Sequence, residues 1–148
     1  YSAFIKTFIN KSKLNNCEII SDNKIKAHIL HKSIFAVAKS GTVSLEICNS
    51  KIPSIILYKM NFLNFLIVKS LVKTKYANII NFAANEEIIP ELLQSNCSAK
   101  NIFKNVSFFL ENPNKMNEQV KKVQNILNKL KINGSSSELS SLSLNKFL

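Results

Sequence analysis

One short run carries the residue types that handle phosphate: Ala38-Lys39-Ser40-Gly41-Thr42-Val43-Ser44-Leu45-Glu46. It follows an apolar segment and opens a helical one. Gly41 allows a tight turn there. The peptide N–H groups of the first helical turn then lie beyond the strand's carboxyl end, where ligands of parallel sheets sit and where helix N-termini favour anions. Glu46 falls one turn past Thr42 on the same face, where a carboxylate can accept both hydroxyls of a ribose. The same residues also suit a plain helix start, with Ser40 and Thr42 as caps and Glu46 as a surface acid.

Other chemistry is sparse. Asp22 is the only Asp, and it is placed to cap a helix. Glu86, Glu87 and Glu91 read as a solvated first helical turn. His28 and His31 lie three apart on a Lys-rich segment without a third ligand, so no metal is expected. Cys17, Cys48 and Cys97 form no CxxC pair and read as reduced, partly buried thiols. No general base with a partner is evident, so no catalytic residue is assigned.

These residues need elements to position them. Strands are expected at residues 17–20, 34–38 and 54–58. Helices are expected at 3–10, 23–31 (capped by Ser21 and Asp22) and 42–49. Pro53 opens the third strand, an unbroken apolar run of the kind buried on both faces of a parallel sheet. The alternation implies a doubly wound α/β layer. Residues 61–73 read as a helix apolar nearly all round, too short to span a bilayer. After an extended piece at 76–80, the chain reads as helical. Pro90 opens a short helix to Gln94, Ser98 caps one to Leu110, and Asn112-Pro113 opens one to Lys131. In the last, Met116, Val120, Val123, Leu127 and Leu130 form one stripe, closed by Gly134. The Ser-rich tail, 135–148, carries enough Leu and Phe for a final short helix.

The chain has 148 residues with 46% apolar and 20% charged, a composition suited to one globular domain. Two glycines in all exclude a GxGxxG or P-loop cradle. The 20 basic residues are all Lys, and the net charge is +11. Such a surplus suits a nucleic acid or an anionic membrane surface. The lysines are scattered, Arg is absent and no aromatics interleave with them, which counts against nucleic acid. Codon bias in an AT-rich genome also yields a Lys-rich chain. The sequence starts at Tyr1 rather than Met, as expected of a fragment.

At this point the motifs resemble the lipid-A-disaccharide synthase family. The pieces are Ser40-Gly41-Thr42-x-x-Leu45-Glu46, Pro53 with the strand ending Tyr58-Lys59-Met60, Leu71-Val72-Lys73-Thr74-x-Tyr76, Asn81-x-x-Ala84, and Pro90-Glu91-Leu92-Leu93-Gln94 to Cys97. Their order and spacing are family-like from residue 34 to 97 and looser beyond. The resemblance implies a partial doubly wound parallel sheet, the C-terminal Rossmann-like domain of a GT-B glycosyltransferase, followed by C-terminal helices. Residues 1–110 would be the incomplete nucleotide-sugar-binding domain, with helices of 111–148 packed on it.

The implied reaction joins UDP-2,3-diacylglucosamine to 2,3-diacylglucosamine 1-phosphate with release of UDP and inversion, needing no cofactor or metal. The acceptor domain with the catalytic base is missing, as is a Gly-Ser-Arg phosphate contact. Carried over by position, Ser40, Gly41 and Thr42 would hold the diphosphate and Glu46 the ribose. Tyr58, Lys59, Asn81 and Gln94 would line the donor pocket, with Lys59 open between a phosphate contact and a plain surface lysine. Ile80 replaces a usual Pro and Asn85 a usual Gly. Asn tolerates the left-handed backbone such a turn requires. Phe62, Phe65, Lys69 and Lys73 would contact the membrane. The implied location is cytoplasmic, peripheral on the inner membrane, with a homo-oligomer open and no nucleic-acid partner.

Overall fold

The computed structural model describes residues 2–61 and 75–130. Residues 62–73 of the expected helix at 61–73, with its membrane-contact residues Phe62, Phe65, Lys69 and Lys73, the Gly134 cap and the tail helix lie outside the described residues. Two compact units divide the chain, Tyr1–Ile34 and Phe35–Leu148.

The first unit holds helices α1 (Ser2–Lys11) and α2 (Asn23–Lys32). Asp22 caps α2 as the sequence requires, its carboxylate accepting from the N–H groups of Lys24 and Ile25 at 2.8 and 2.9 Å. Residues 17–20, expected as a strand, form neither strand nor helix. An apolar pair such as Ile19-Ile20 has strand propensity, but propensity makes a strand only where a neighbouring strand pairs with it.

The second unit is built on β1 (Ala36–Lys39), β2 (Ser54–Tyr58) and β3 (Glu91–Leu93). They form a sheet of order β1-β2-β3, parallel throughout. Between them lie α3 (Thr42–Asn49) and α4 (Ile79–Ala84). A 3-10 turn (Gln94–Asn96), α5 (Ala99–Glu111) and α6 (Pro113–Leu130) follow. Neighbouring residues Ile55 and Ile56 are both 0% exposed. Successive strand residues point to opposite faces, so the central strand is covered on both, as its unbroken apolar run predicts.

On one face, Ile55, Leu92 and Phe109 form a core cluster joined by Phe35, Leu57, Ile102, Val106 and Met116. The Phe35 and Phe109 rings stand 5.4 Å apart. Helix α3 packs on β1, and α6 packs on α3, α4 and α5. The α6 stripe is buried at Val123 and Leu127, but Leu130 is exposed. An unforeseen polar residue, Gln119, is buried beside them.

Two segments of the second unit differ from expectation. Residues 91–93 are a strand, not a short helix. The Pro90 carbonyl accepts from Ile56 N–H, which enters Pro90 into the ladder. Proline suits the start of an edge strand, because its missing N–H is not needed there. Residues 79–84 are helical where an extended piece is expected up to 80. Asn78 caps this helix, its Oδ1 accepting from Ile80 N–H at 2.9 Å. Asn85 closes it in the left-handed conformation (φ 49°, ψ 30°), so the turn forms without glycine.

Candidate functional site

The sheet brings most of the sequence-identified residues to one edge. Ser40, Gly41 and Thr42 follow β1, Tyr58 and Lys59 end and follow β2, and Gln94 follows β3. These are the carboxyl ends of three parallel strands, where open α/β sheets bind ligands.

Gly41 adopts φ 142° and ψ −163°, a backbone closed to L side chains. A Cβ there would meet nothing within 4 Å, so conformation rather than crowding demands glycine. Gly41 caps α3 with no side-chain hydrogen bond. Of the first-turn N–H groups, that of Ser44 donates to Gly41 O at 3.1 Å, and those of Thr42 and Val43 face the open end of the helix. Thr42 and Glu46 are both exposed on α3.

Ser40 is differently engaged. Its N–H donates to Leu57 O at 3.3 Å and its hydroxyl to Ala77 O at 2.9 Å. Both of its donors therefore serve the protein and hold the turn. Ser44, one turn on, donates its hydroxyl to Gly41 O at 2.6 Å and accepts from Asn78 Nδ2 at 3.2 Å.

Asn81 is not at the surface of the crevice. It is 0% exposed. Its Nδ2 donates to Ile89 O at 2.7 Å and to Glu91 Oε1 at 2.8 Å, and its Oδ1 accepts from Ile88 and Ile89 N–H. Those bonds use both amide protons and both lone pairs.

Gln94 ties the ends of two strands together, its Oε1 accepting from Met60 N–H at 3.0 Å. A groove beside it is lined by Lys59, Met60, Gln94, Ser95, Cys97 and Ser98. Lys59 is exposed there, while Tyr58 is half-buried.

The acids at 86–91 are not one solvated turn. Glu86 pairs with Lys122 at 2.7 Å, and this partner holds the Lys122 ammonium above its ordinary range. Glu87 accepts from Glu91 N–H at 3.0 Å. Glu91 accepts three hydrogen bonds, from Ala77 N–H at 2.7 Å, Asn78 N–H at 3.0 Å and Asn81 Nδ2 at 2.8 Å. Reading Pro90 as a strand start would have put Glu91 on a strand face. Asn78, two residues before Ile80, carries the spacing of a helix cap.

Comparison with known proteins agrees in kind. A family model described as lipid-A-disaccharide synthetase matches residues 1–144. The chain is 40% identical over 130 residues to a lipid-A-disaccharide synthase of Rickettsia prowazekii, covering 88% of this chain and 33% of that protein. It is 42% identical over 127 residues to the protein of that name from Rickettsia canadensis, covering 86% and 32%. For that of Rickettsia felis the identity is 41% over 130 residues, covering 88% and 32%. The chain thus spans about a third of the length of the curated relatives it matches.

Proposed function

This chain belongs to the lipid-A-disaccharide synthase family, and on that ground we propose that it supplies the UDP-sugar-binding part of such a glycosyltransferase. The observation that carries the reading is the convergence of residues 40–42, Tyr58, Lys59 and Gln94 at the carboxyl ends of three parallel strands. In this reading the N-terminus of α3 takes the diphosphate through its peptide N–H groups, with Gly41 and Thr42 at the contact. Glu46 accepts the ribose hydroxyls. Lys59 adds positive charge at the same edge, and Tyr58 and Gln94 line the crevice. Asn81 acts from beneath, by holding the 88–91 segment that leads to Gln94.

The donor is UDP-2,3-diacylglucosamine and the acceptor 2,3-diacylglucosamine 1-phosphate, joined with inversion and release of UDP. Residues 1–110 are assigned to the incomplete donor-binding part, and residues 111–148 with them. The acceptor side and the catalytic base belong to a part of the enzyme outside these 148 residues, so this piece alone is inactive. Its place is the cytoplasmic surface of an anionic membrane, where both lipid substrates reside. The Lys-flanked apolar run with Phe62, Phe65, Lys69 and Lys73 is the contact. Among the described residues, no helix is long and apolar enough to cross a membrane.

Titration with UDP and 2′-deoxy-UDP, followed by calorimetry to millimolar ligand, tests the donor reading. UDP should saturate, with the deoxy analogue binding roughly tenfold more weakly. Binding of UDP no tighter than inorganic phosphate overturns the reading.

A further inference from the structure

We infer that Glu91 is a positioning residue for the donor-binding turn, acting through residues 77 and 78 on Ser40 and Gly41. The inference rests on the donor reading of that turn. Glu91 leaves β3 with its carboxylate aimed at the segment before α4. One oxygen accepts from Ala77 N–H at 2.7 Å, and the other from Asn78 N–H at 3.0 Å. Both held residues reach across to the segment that opens α3. Ala77 O accepts the Ser40 hydroxyl at 2.9 Å. Asn78 Nδ2 donates to Ser44 Oγ, whose own proton goes to Gly41 O. The two sides of the Gly41 turn are therefore tied to residues 77 and 78, whose N–H groups one carboxylate fixes.

Each link suits its role. A carboxylate is a stronger acceptor than an amide or hydroxyl, and it offers no competing donor. Asn81 adds a third donor to the Glu91 carboxylate at 2.8 Å and is itself 0% exposed, so the acceptor cannot swing away without stranding a buried amide. Gly41 cannot hold itself in place. It has no side chain, and its φ of 142° is only one of several conformations open to glycine. A turn that must offer peptide N–H groups to a diphosphate in one geometry needs outside support, and these bonds provide it.

Glu91→Gln is the direct variant, because its amide nitrogen must face at least one of the N–H donors. Ser40→Ala cuts the same relay from the exposed end, and Ser40→Thr restores the hydroxyl. In the 148-residue chain, Glu91→Gln and Ser40→Ala should each weaken UDP roughly tenfold. Ser40→Thr should bind like the parent, and the double variant no more weakly than Glu91→Gln alone. Exchange of the Ser44 amide, bonded to Gly41 O, should quicken in Glu91→Gln. Gln119→Ala, remote from the turn, should lower stability and leave both readouts of the folded chain unchanged. If the parent binds UDP and Glu91→Gln and Ser40→Ala bind it equally well, the inference is overturned. If the parent binds no UDP, the donor reading fails for this chain and Ser44 exchange decides alone: an unchanged rate in Glu91→Gln overturns the positioning role, and a faster one supports it. Should Glu91→Gln fail to fold, Ser40→Ala measured against Ser40→Thr decides in its place.

Discussion

Among the residues proposed to bind the donor, Glu46 carries the sharpest expectation. It stands exposed on α3, one turn past Thr42. Glu46→Gln is nearly isosteric, so the fold should persist while the charged acceptor is lost. UDP affinity should fall about ten- to a hundredfold, the worth of a hydrogen bond to a charged group. Glu118→Gln is the control. Its carboxyl lies on α6, held below its ordinary range by the hydrogen bond and charge of Lys115, and it should bind UDP like the parent. Equal binding by both variants removes Glu46 from the ribose. The thiols sort by environment in the same way. Burial pushes Cys48 up to about 11, whereas Cys17 is exposed and Cys97 half-buried. The thiolate is the reactive form. At pH 8 a disulfide reagent should therefore modify Cys17 first, Cys97 more slowly and Cys48 only on unfolding. Three equal rates would contradict the packing of α3.

Helix α6 illustrates how an element is held by polar as well as apolar contacts. Gln119, 4% exposed, accepts from Ser54 N–H at 2.7 Å and donates to Ser54 O at 3.1 Å. Ser54 opens β2 and is 1% exposed, so no water replaces a lost partner. Gln119→Ala strands one buried donor and one buried acceptor and should cost about 2–4 kcal/mol in urea unfolding. Gln124 donates to Cys48 O at the end of α3, at 2.7 Å, and is half-buried. Gln124→Ala should cost under about 1.5 kcal/mol, because solvent can reach the carbonyl. Equal losses would mean that burial of Ser54 contributes nothing to the difference. Surface pairs such as Lys115–Glu118 and Lys122–Glu86 are half-exposed and contribute little beside these.

For the molecule as a whole, the governing fact is that the chain spans about a third of its relatives' length. A transferase gains most by holding donor and acceptor in one geometry, and half a cleft provides no such proximity. The 148-residue chain given radiolabelled donor and acceptor lipid should form no disaccharide above the protein-free background. Addition of the remaining part of such an enzyme as a second polypeptide should be required for any product. Disaccharide formed by this chain alone would overturn its assignment to the donor side.

Local chemistry made much of this legible in the sequence. Asp22, Ser98 and Pro113 mark helix starts, because caps and proline act within one turn of backbone. The unbroken run at 54–58 announced a strand covered on both faces, because only such a strand can be apolar at every position. The Ser40-Gly41-Thr42 turn was legible because glycine alone tolerates its φ. The misread residues depend on distant partners. Pro90 starts a strand because Ile56 lies beside it, 34 residues earlier in the chain. Glu91 looks like a surface acid until residues 77, 78 and 81 bring three donors to it. Asn81 looks like a ligand residue until its amide is seen filled from both sides. Gln119 looks like one more polar position on an amphipathic helix until Ser54 meets it across 65 residues. A polar side chain's type states what it can bond to. Which partner it meets is settled only when the chain closes on itself and removes water as the alternative.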